Sequence, residues 1–417
     1  MDSVKKEEKL ILRFIRTFFK WIFIAGVTGA VGGLVGSAFH LSVTYAADIR
    51  DAHPWLLWLL PVSGLAIAGL YHLTRMENEN TNAIIDSIHF GNDVPLALVP
   101  SIFISTFITH LFGGSAGREG AALQIGGSLG CYVGRLFRLD EKDMRIATLS
   151  GMSAVFSALF GTPLTATIFA LEVISVGIIH YSALVPCLVA SLISLQISIL
   201  FGISPTKFAI LVEPVNAWML LKVSGLALLC ALVSVLFCVA MHGNEHLFSK
   251  KIKNGFFRIF LGGCIVIALT YLSGTRECNG AGMDVIRAAL EEGRARPDLF
   301  FWKLLLTAVT IGSGFKGGEV VPTFFIGATF GCVVGPLMGI PAGFAAAIGL
   351  ISVFCGAVNC PMASIALSVE LFGSTELIYF ALACGIAYML SGYFGLYSSQ
   401  KIMYSKLKTE FINIHAK

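Results

Sequence analysis

The chain has 417 residues, 56% of them hydrophobic and only 13% charged, with a net charge of +4. Soluble domains carry about 25% charged residues, so this balance, with a mean hydropathy of +0.81, excludes an ordinary soluble protein and predicts a polytopic membrane protein. No basic block points to nucleic acid. Ten scattered cysteines without a CxxC pair predict neither a disulfide framework nor a zinc site, and no cofactor is expected.

Residues 1–20 mix Lys5, Lys6, Lys9, Arg13, Arg16 and Lys20 with Asp2, Glu7 and Glu8, and place Leu10, Phe14 and Phe18 four apart. This predicts an amphipathic helix on the cytoplasmic membrane surface. It does not read as a signal peptide, because no small-residue cleavage site follows a short apolar core. Apolar runs long enough to span follow at 21–47, 55–73 and 95–112.

The stretch "GGSAGREGAALQIGG" (113–127) then places Arg118 and Glu119 among glycines and apolar residues. Glycines at 113, 114, 117 and 120 break the preceding helix, and the apolar pattern restarts at Ala121. Residues 117–120 are therefore expected to form the N-terminus of a new helix, buried at membrane depth. Its free N–H groups and dipole favour an anion. Irregular backbone at that depth is tolerated only where it is packed in protein or lines a cavity. Glu119 would be an anion at an anion site: charged, it occupies the place; protonated, it swings aside and admits the anion. The plainer alternative is a structural Arg118–Glu119 pair capping the helix.

Self-comparison reveals an internal repeat. "GREGAALQIGGSLG" (117–130) matches "GGEVVPTFFIGATFG" (317–331), and "GTPLTATIFALEV" (161–173) matches "NCPMASIALSVEL" (359–371), in the same order. The halves divide as 21–212 and 213–396. If the run 183–200 closes the first half, each half has an odd number of helices, and the second is inverted. The basic loop 246–258 agrees, since it reads as cytoplasmic like the N-terminus. Inverted repeats are a transporter design, with the binding site where broken helices meet. Lys222 and Lys303, near helix ends, are expected to snorkel. Glu172 and Glu370 are expected to serve packing or anchoring. His110, just before the glycine run, could line the pathway.

These motifs resemble the CLC anion channel and transporter family, whose signature is GREGP followed by a glycine-spaced helix. The resemblance runs from about 21 to 410. It implies an all-α polytopic fold of two inverted repeats of tilted and broken helices, and a final helix with a cytoplasmic C-terminus over 397–417. It also implies a homodimer with one pathway per subunit. The departures resemble the family's fluoride/proton antiporter branch. "ENTNAIID" (79–86) puts Asn80 where chloride-handling members carry a serine, Ala121 replaces the signature proline, and Glu319 replaces an aliphatic residue. On this resemblance Glu119 is the gate and proton carrier. The anion would contact Asn80, Gly117, Arg118, Gly120, Val320 and Tyr397, the last at the start of the final helix. Glu319 would couple proton or anion movement. Val173 stands where chloride exchangers keep an inner glutamate, so that proton station is missing.

The implied function is export of fluoride in exchange for inward protons across a prokaryotic inner membrane, conferring fluoride resistance. Fluoride holds its water tightly and needs strong donors to replace it. An asparagine amide offers two N–H donors where a serine hydroxyl offers one, although Asn80 could equally cap a helix starting near Thr81. The alternatives are a chloride/proton antiporter or chloride channel of the same family and, more distantly, an intramembrane enzyme. The enzyme reading has no HExxH or GxSxG motif in its favour.

Overall fold

The computed structural model describes residues 2–77 and 79–417, with the side chains of residues 2–6 and 8 left aside. The first half runs α1 (Asp2–Ala52), α2 (Leu60–Thr74), α3 (Thr81–Phe90), α4 (Leu98–Leu111), α5 (Glu119–Leu136), α6 (Glu141–Phe160), α7 (Pro163–Glu172), a two-residue strand β1 (Ser175–Val176) and α8 (Leu184–Leu200). The second runs α9 (Ala217–Lys251), α10 (Gly255–Ser273), α11 (Met283–Glu291), α12 (Leu299–Gly312), α13 (Val320–Leu337), α14 (Ala342–Val358), α15 (Pro361–Phe372) and α16 (Leu377–Leu390), then β2 (Lys401–Tyr404) and β3 (Phe411–His415). Among the described residues, six helical stretches are long and apolar enough to cross a membrane. α3, α7, α11 and α15 have only 10, 10, 9 and 12 residues, well short of the roughly 20 that a spanning helix needs.

Local chemistry sets the ends of these helices. Asn80, Asp140, Asn216 and Asn254 each accept a backbone N–H in the first turn that follows. Pro163 and Pro361 begin α7 and α15, where the missing N–H costs nothing. The two halves repeat one another in contacts as well as in sequence. A Cβ on Gly126 or Gly130 of α5 would overlap the carbonyls of Gly151 and Ala147 on α6; one on Gly327 or Gly331 of α13 would overlap those of Gly349 and Ala345 on α14. Small residues let these helix pairs approach backbone to backbone, the packing that lipid-embedded helices favour. Glu172, at the end of α7, accepts the N–H groups of Met362 and Ala363 at 3.2 and 2.9 Å, capping α15. Glu370, on α15, accepts those of Leu164 and Thr165 at 2.9 and 2.8 Å, capping α7. The anchoring expected of these two acids is a reciprocal exchange of caps between the halves.

The structure departs from the sequence reading in four places. Residues 2–20 are not a separate surface helix: α1 runs unbroken for 51 residues, because no glycine or proline interrupts the join near Trp21. The helix count per half is eight among the described residues, not odd. The short helices fall below spanning length, so a count of helices is not a count of crossings. No helix occupies 397–417. "KIMY" and "FINIH" pair as antiparallel strands, with β1 parallel to β2, and β3 alternates exposed and half-buried residues as a period-two strand does. Finally, Lys303 does not snorkel. It is fully buried, and its Nζ donates to the carbonyls of Gly280 and Cys278 at 2.6 and 3.1 Å.

Candidate anion site

Two helix starts, one from each half, meet in the interior. Gly117, just before α5, and Gly318, just before α13, exchange both backbone hydrogen bonds as an antiparallel bridge, each 2.7 Å. The chains enter the two helices in opposite directions, and each start carries one glutamate. Glu119, the first residue of α5, is completely buried. Its Oε2 accepts the Arg118 N–H at 2.9 Å, and its Oε1 lies 3.7 Å from Arg118 Nε. Oε1 has no hydrogen-bond partner among the described residues. The carboxylate thus folds back over its own helix start, where N–H groups and dipole favour negative charge. Gly117 makes the room, because a Cβ there would stand 2.6 Å from Glu119 Oε2. Glu319 is the N-cap residue of α13. Its Oε2 is also buried without a partner, and it sits against Gly120, where a Cβ would stand 2.9 Å away. Each carboxylate therefore occupies space that a glycine of the first motif leaves open.

A cavity of about 320 Å³ approaches this junction. Asn80, Thr81, Gln124, Lys316, Glu319 and Tyr397 line its inner part, and Glu245, Ser249 and Arg258 line it near the end of α9. Of the residues expected from the sequence, Asn80, Glu319 and Tyr397 share this cavity. Gly117, Arg118, Glu119, Gly120 and Val320 lie behind it, outside its lining, and Val320 is fully buried as the first residue of α13. Asn80 combines two expected roles. Its Oδ1 accepts the Ala83 N–H at 3.0 Å and caps α3, while its amide NH2 makes no hydrogen bond among the described residues. Tyr397 lies in the turn leading to β2 rather than on a helix. It is 2% exposed, and its hydroxyl has no partner among the described residues.

Sequence reasoning missed Gln124, Thr81 and Lys316. Gln124 donates through Nε2 to Thr81 Oγ1 at 3.2 Å and leaves Oε1 unpaired. Lys316 sets its Nζ 4.1 Å from the centre of the Tyr71 ring. Both carried a signal: Gln124 is a lone amide in an apolar helix, and Lys316 and Glu319 are the only charged residues between Lys303 and Lys401 before Glu370. His110 is buried, donates through Nδ1 to the Thr106 carbonyl at 2.9 Å, and is not part of the cavity lining. Val173, in place of an inner glutamate, is buried, and its carbonyl accepts from Gln400 Nε2 at 3.0 Å.

The family model described as "Voltage gated chloride channel" matches residues 64–392. A "Chloride/fluoride channel protein" of Pseudomonas syringae pv. tomato is 37% identical over 416 residues, covering 97% of this chain and 91% of that protein. The H(+)/Cl(-) exchange transporter ClcA of Vibrio cholerae is 26% identical, covering 87% and 84%. Among solved structures, a CLC-type fluoride/proton antiporter superposes with a TM-score of 0.88 at 32% identity, covering 92% of this chain and 98% of that one. A slow cyanobacterial Cl-/H+ antiporter shares the fold, with a TM-score of 0.76 at 20% identity. With its paired glycine-broken helix starts and a family match over most of its length, the chain is an integral membrane protein that belongs to the CLC, or voltage gated chloride channel, family.

Proposed function

We propose that this protein exchanges fluoride for protons, with Glu119 as gate and proton carrier. The observation that carries the proposal is the pair of carboxylates at the joined helix starts, Glu119 over α5 and Glu319 over α13, beside a cavity shared by Asn80 and Tyr397. A charged Glu119 competes with a fluoride ion for the same N–H groups. Protonation removes its claim on them, and the anion takes the place the carboxylate leaves. Because the anion and the charged carboxylate exclude each other at this helix start, moving one across the membrane is tied to the protonation state of the other, which is the coupling an antiporter needs.

Glu319 deepens the fluoride reading. A permanently charged carboxylate beside the path repels any anion; a protonated one is an O–H donor, and fluoride takes strong donors in exchange for its tightly held water. The Asn80 amide and the Tyr397 hydroxyl are further donors on the same cavity. The structural likeness to a CLC-type fluoride/proton antiporter at 32% identity supports this reading; the Pseudomonas relative is named for both anions. We further propose that the chain is a homodimeric transporter rather than an enzyme. Both termini would lie on the cytoplasmic side of a prokaryotic inner membrane, and inward proton flow would expel fluoride and confer resistance to it. The test is Glu119→Gln in liposomes. Loss of proton-coupled fluoride movement is expected, and normal coupling in that variant would make Glu119 structural.

A further inference from the structure

A second cavity, of about 410 Å³, lies where the end of α3, the start of α6 and the C-terminal hairpin come together. Its size falls in the range of small-molecule sites. Lys142 and Arg145 reach it from α6 and Lys401 from β2, with His89 and His180 beside them, and no carboxylate among the described residues lines it. Beneath these groups lie apolar side chains, Ile146 and Leu149 among them.

Of the nearby acids, one pairs with a cation of the pocket and one is held by the C-terminal segment. Glu141 accepts from Arg145 at 2.7 Å through one end of the guanidinium, and Asp86 accepts from Ser399 Oγ at 2.8 Å. Arg145 Nε is nevertheless buried with no acceptor among the described residues. Lys142 and Lys401 take part in none of the ion pairs of the described residues. These charges converge on one concavity with an apolar floor. That donor set suits a phosphate group carried on an apolar or aromatic body.

Two continuous segments tie this pocket to the anion cavity. α3 starts at the cap residue Asn80 and ends beside His89, about 15 Å away at 1.5 Å per residue. The stretch from Tyr397 to Lys401 runs alongside: Ser399 donates through its N–H to Asn82 Oδ1 at 3.2 Å and through its hydroxyl to Asp86. One end of each segment lines the anion cavity and the other lines the basic pocket. We propose that the pocket binds a phosphate-bearing ligand, either an anionic phospholipid headgroup or a soluble nucleotide, and that its occupancy changes the transport rate by fixing α3 and the 397–401 segment. The effect on rate rests on the transport function proposed above; the binding does not.

The test is calorimetric titration of the purified full chain with ATP and, separately, with short-chain phosphatidylglycerol, using wild type, Lys142→Gln/Lys401→Gln and the control Lys207→Gln. Saturable binding of one probe is expected. The double variant should weaken it about tenfold or more while its gel-filtration profile is unchanged, and Lys207→Gln should bind like wild type. Binding of ATP alone identifies a soluble ligand, and binding of the lipid alone identifies the bilayer as the source. Saturable binding of neither probe, or equal affinity in the double variant, overturns the site. In liposomes the bound probe should change the exchange rate of wild type but not of the double variant, and binding without any rate change overturns the coupling. Absence of fluoride exchange in every sample, with binding intact, would count against the transport reading and leave the site standing.

Discussion

Gly117→Ala separates the position of the Glu119 carboxylate from its ability to titrate. The added Cβ would stand 2.6 Å from Glu119 Oε2, 3.0 Å from Pro322 Cδ and 3.1 Å from the Gly318 carbonyl oxygen. The carboxylate is the free end of a flexible side chain and yields first. In yielding it gives up the 2.9 Å hydrogen bond from the Arg118 N–H, a bond to a charged group worth about 1.5–3 kcal/mol. That shifts the balance between occupied and vacated helix start by about tenfold to a hundredfold. The residual crowding against Pro322 costs about 1–3 kcal/mol of stability. In liposomes loaded with fluoride, Gly117→Ala should therefore leak fluoride with fewer protons moved per ion than wild type, read by a fluoride electrode and a pH-sensitive dye together. Gly318→Ala is the contrast. Its Cβ would overlap the Gly120 backbone nitrogen, which cannot swing away, so this variant should lose folded yield instead. Wild-type coupling and rate in Gly117→Ala would refute the claim that this carboxylate, in this position, closes the pathway.

Glu319→Gln should strongly reduce fluoride turnover while leaving gel-filtration behaviour intact, and Glu319→Ala should do at least as much damage. Wild-type exchange in both would make Glu319 a structural cap. Asn80→Ser replaces two N–H donors on the cavity with one O–H but retains a helix cap, so fluoride flux should fall relative to chloride flux with little change in thermal stability; an unchanged flux ratio would confine Asn80 to capping. Glu172→Ala leaves the N–H groups of Met362 and Ala363 without their acceptor. A loss of about 1–2 kcal/mol is expected, seen as a lower midpoint in a thermal-stability assay on the detergent-solubilised protein.

The broken helix starts were legible because glycine and proline punctuate the backbone locally. The run at 113–120 places the start of α5 at Glu119, and the repeat carries the same inference to Glu319. The pairing of Gly117 with Gly318 was not legible, since it joins positions about two hundred residues apart. The same is true of Gln124, Thr81 and Lys316: each is polar in an apolar setting, yet only the approach of α3, α5 and the loop before α13 puts them on one cavity. Lys303 misled because a lysine near a helix end is usually free to reach water, whereas this one is enclosed by the 278–280 loop and bound to its carbonyls. The C-terminal hairpin was read through the resemblance as a helix, although "FINIH" itself alternates.

Simultaneous recording of fluoride efflux and proton uptake in liposomes containing wild-type protein, with chloride-loaded liposomes in parallel and the membrane potential clamped, tests the central claim most directly. The account predicts that an outward fluoride gradient drives protons inward against the set potential, that chloride does so far more weakly, and that Glu119→Gln abolishes the proton movement. Rapid fluoride flux with no accompanying protons, or chloride exchange as fast as fluoride exchange, would contradict it.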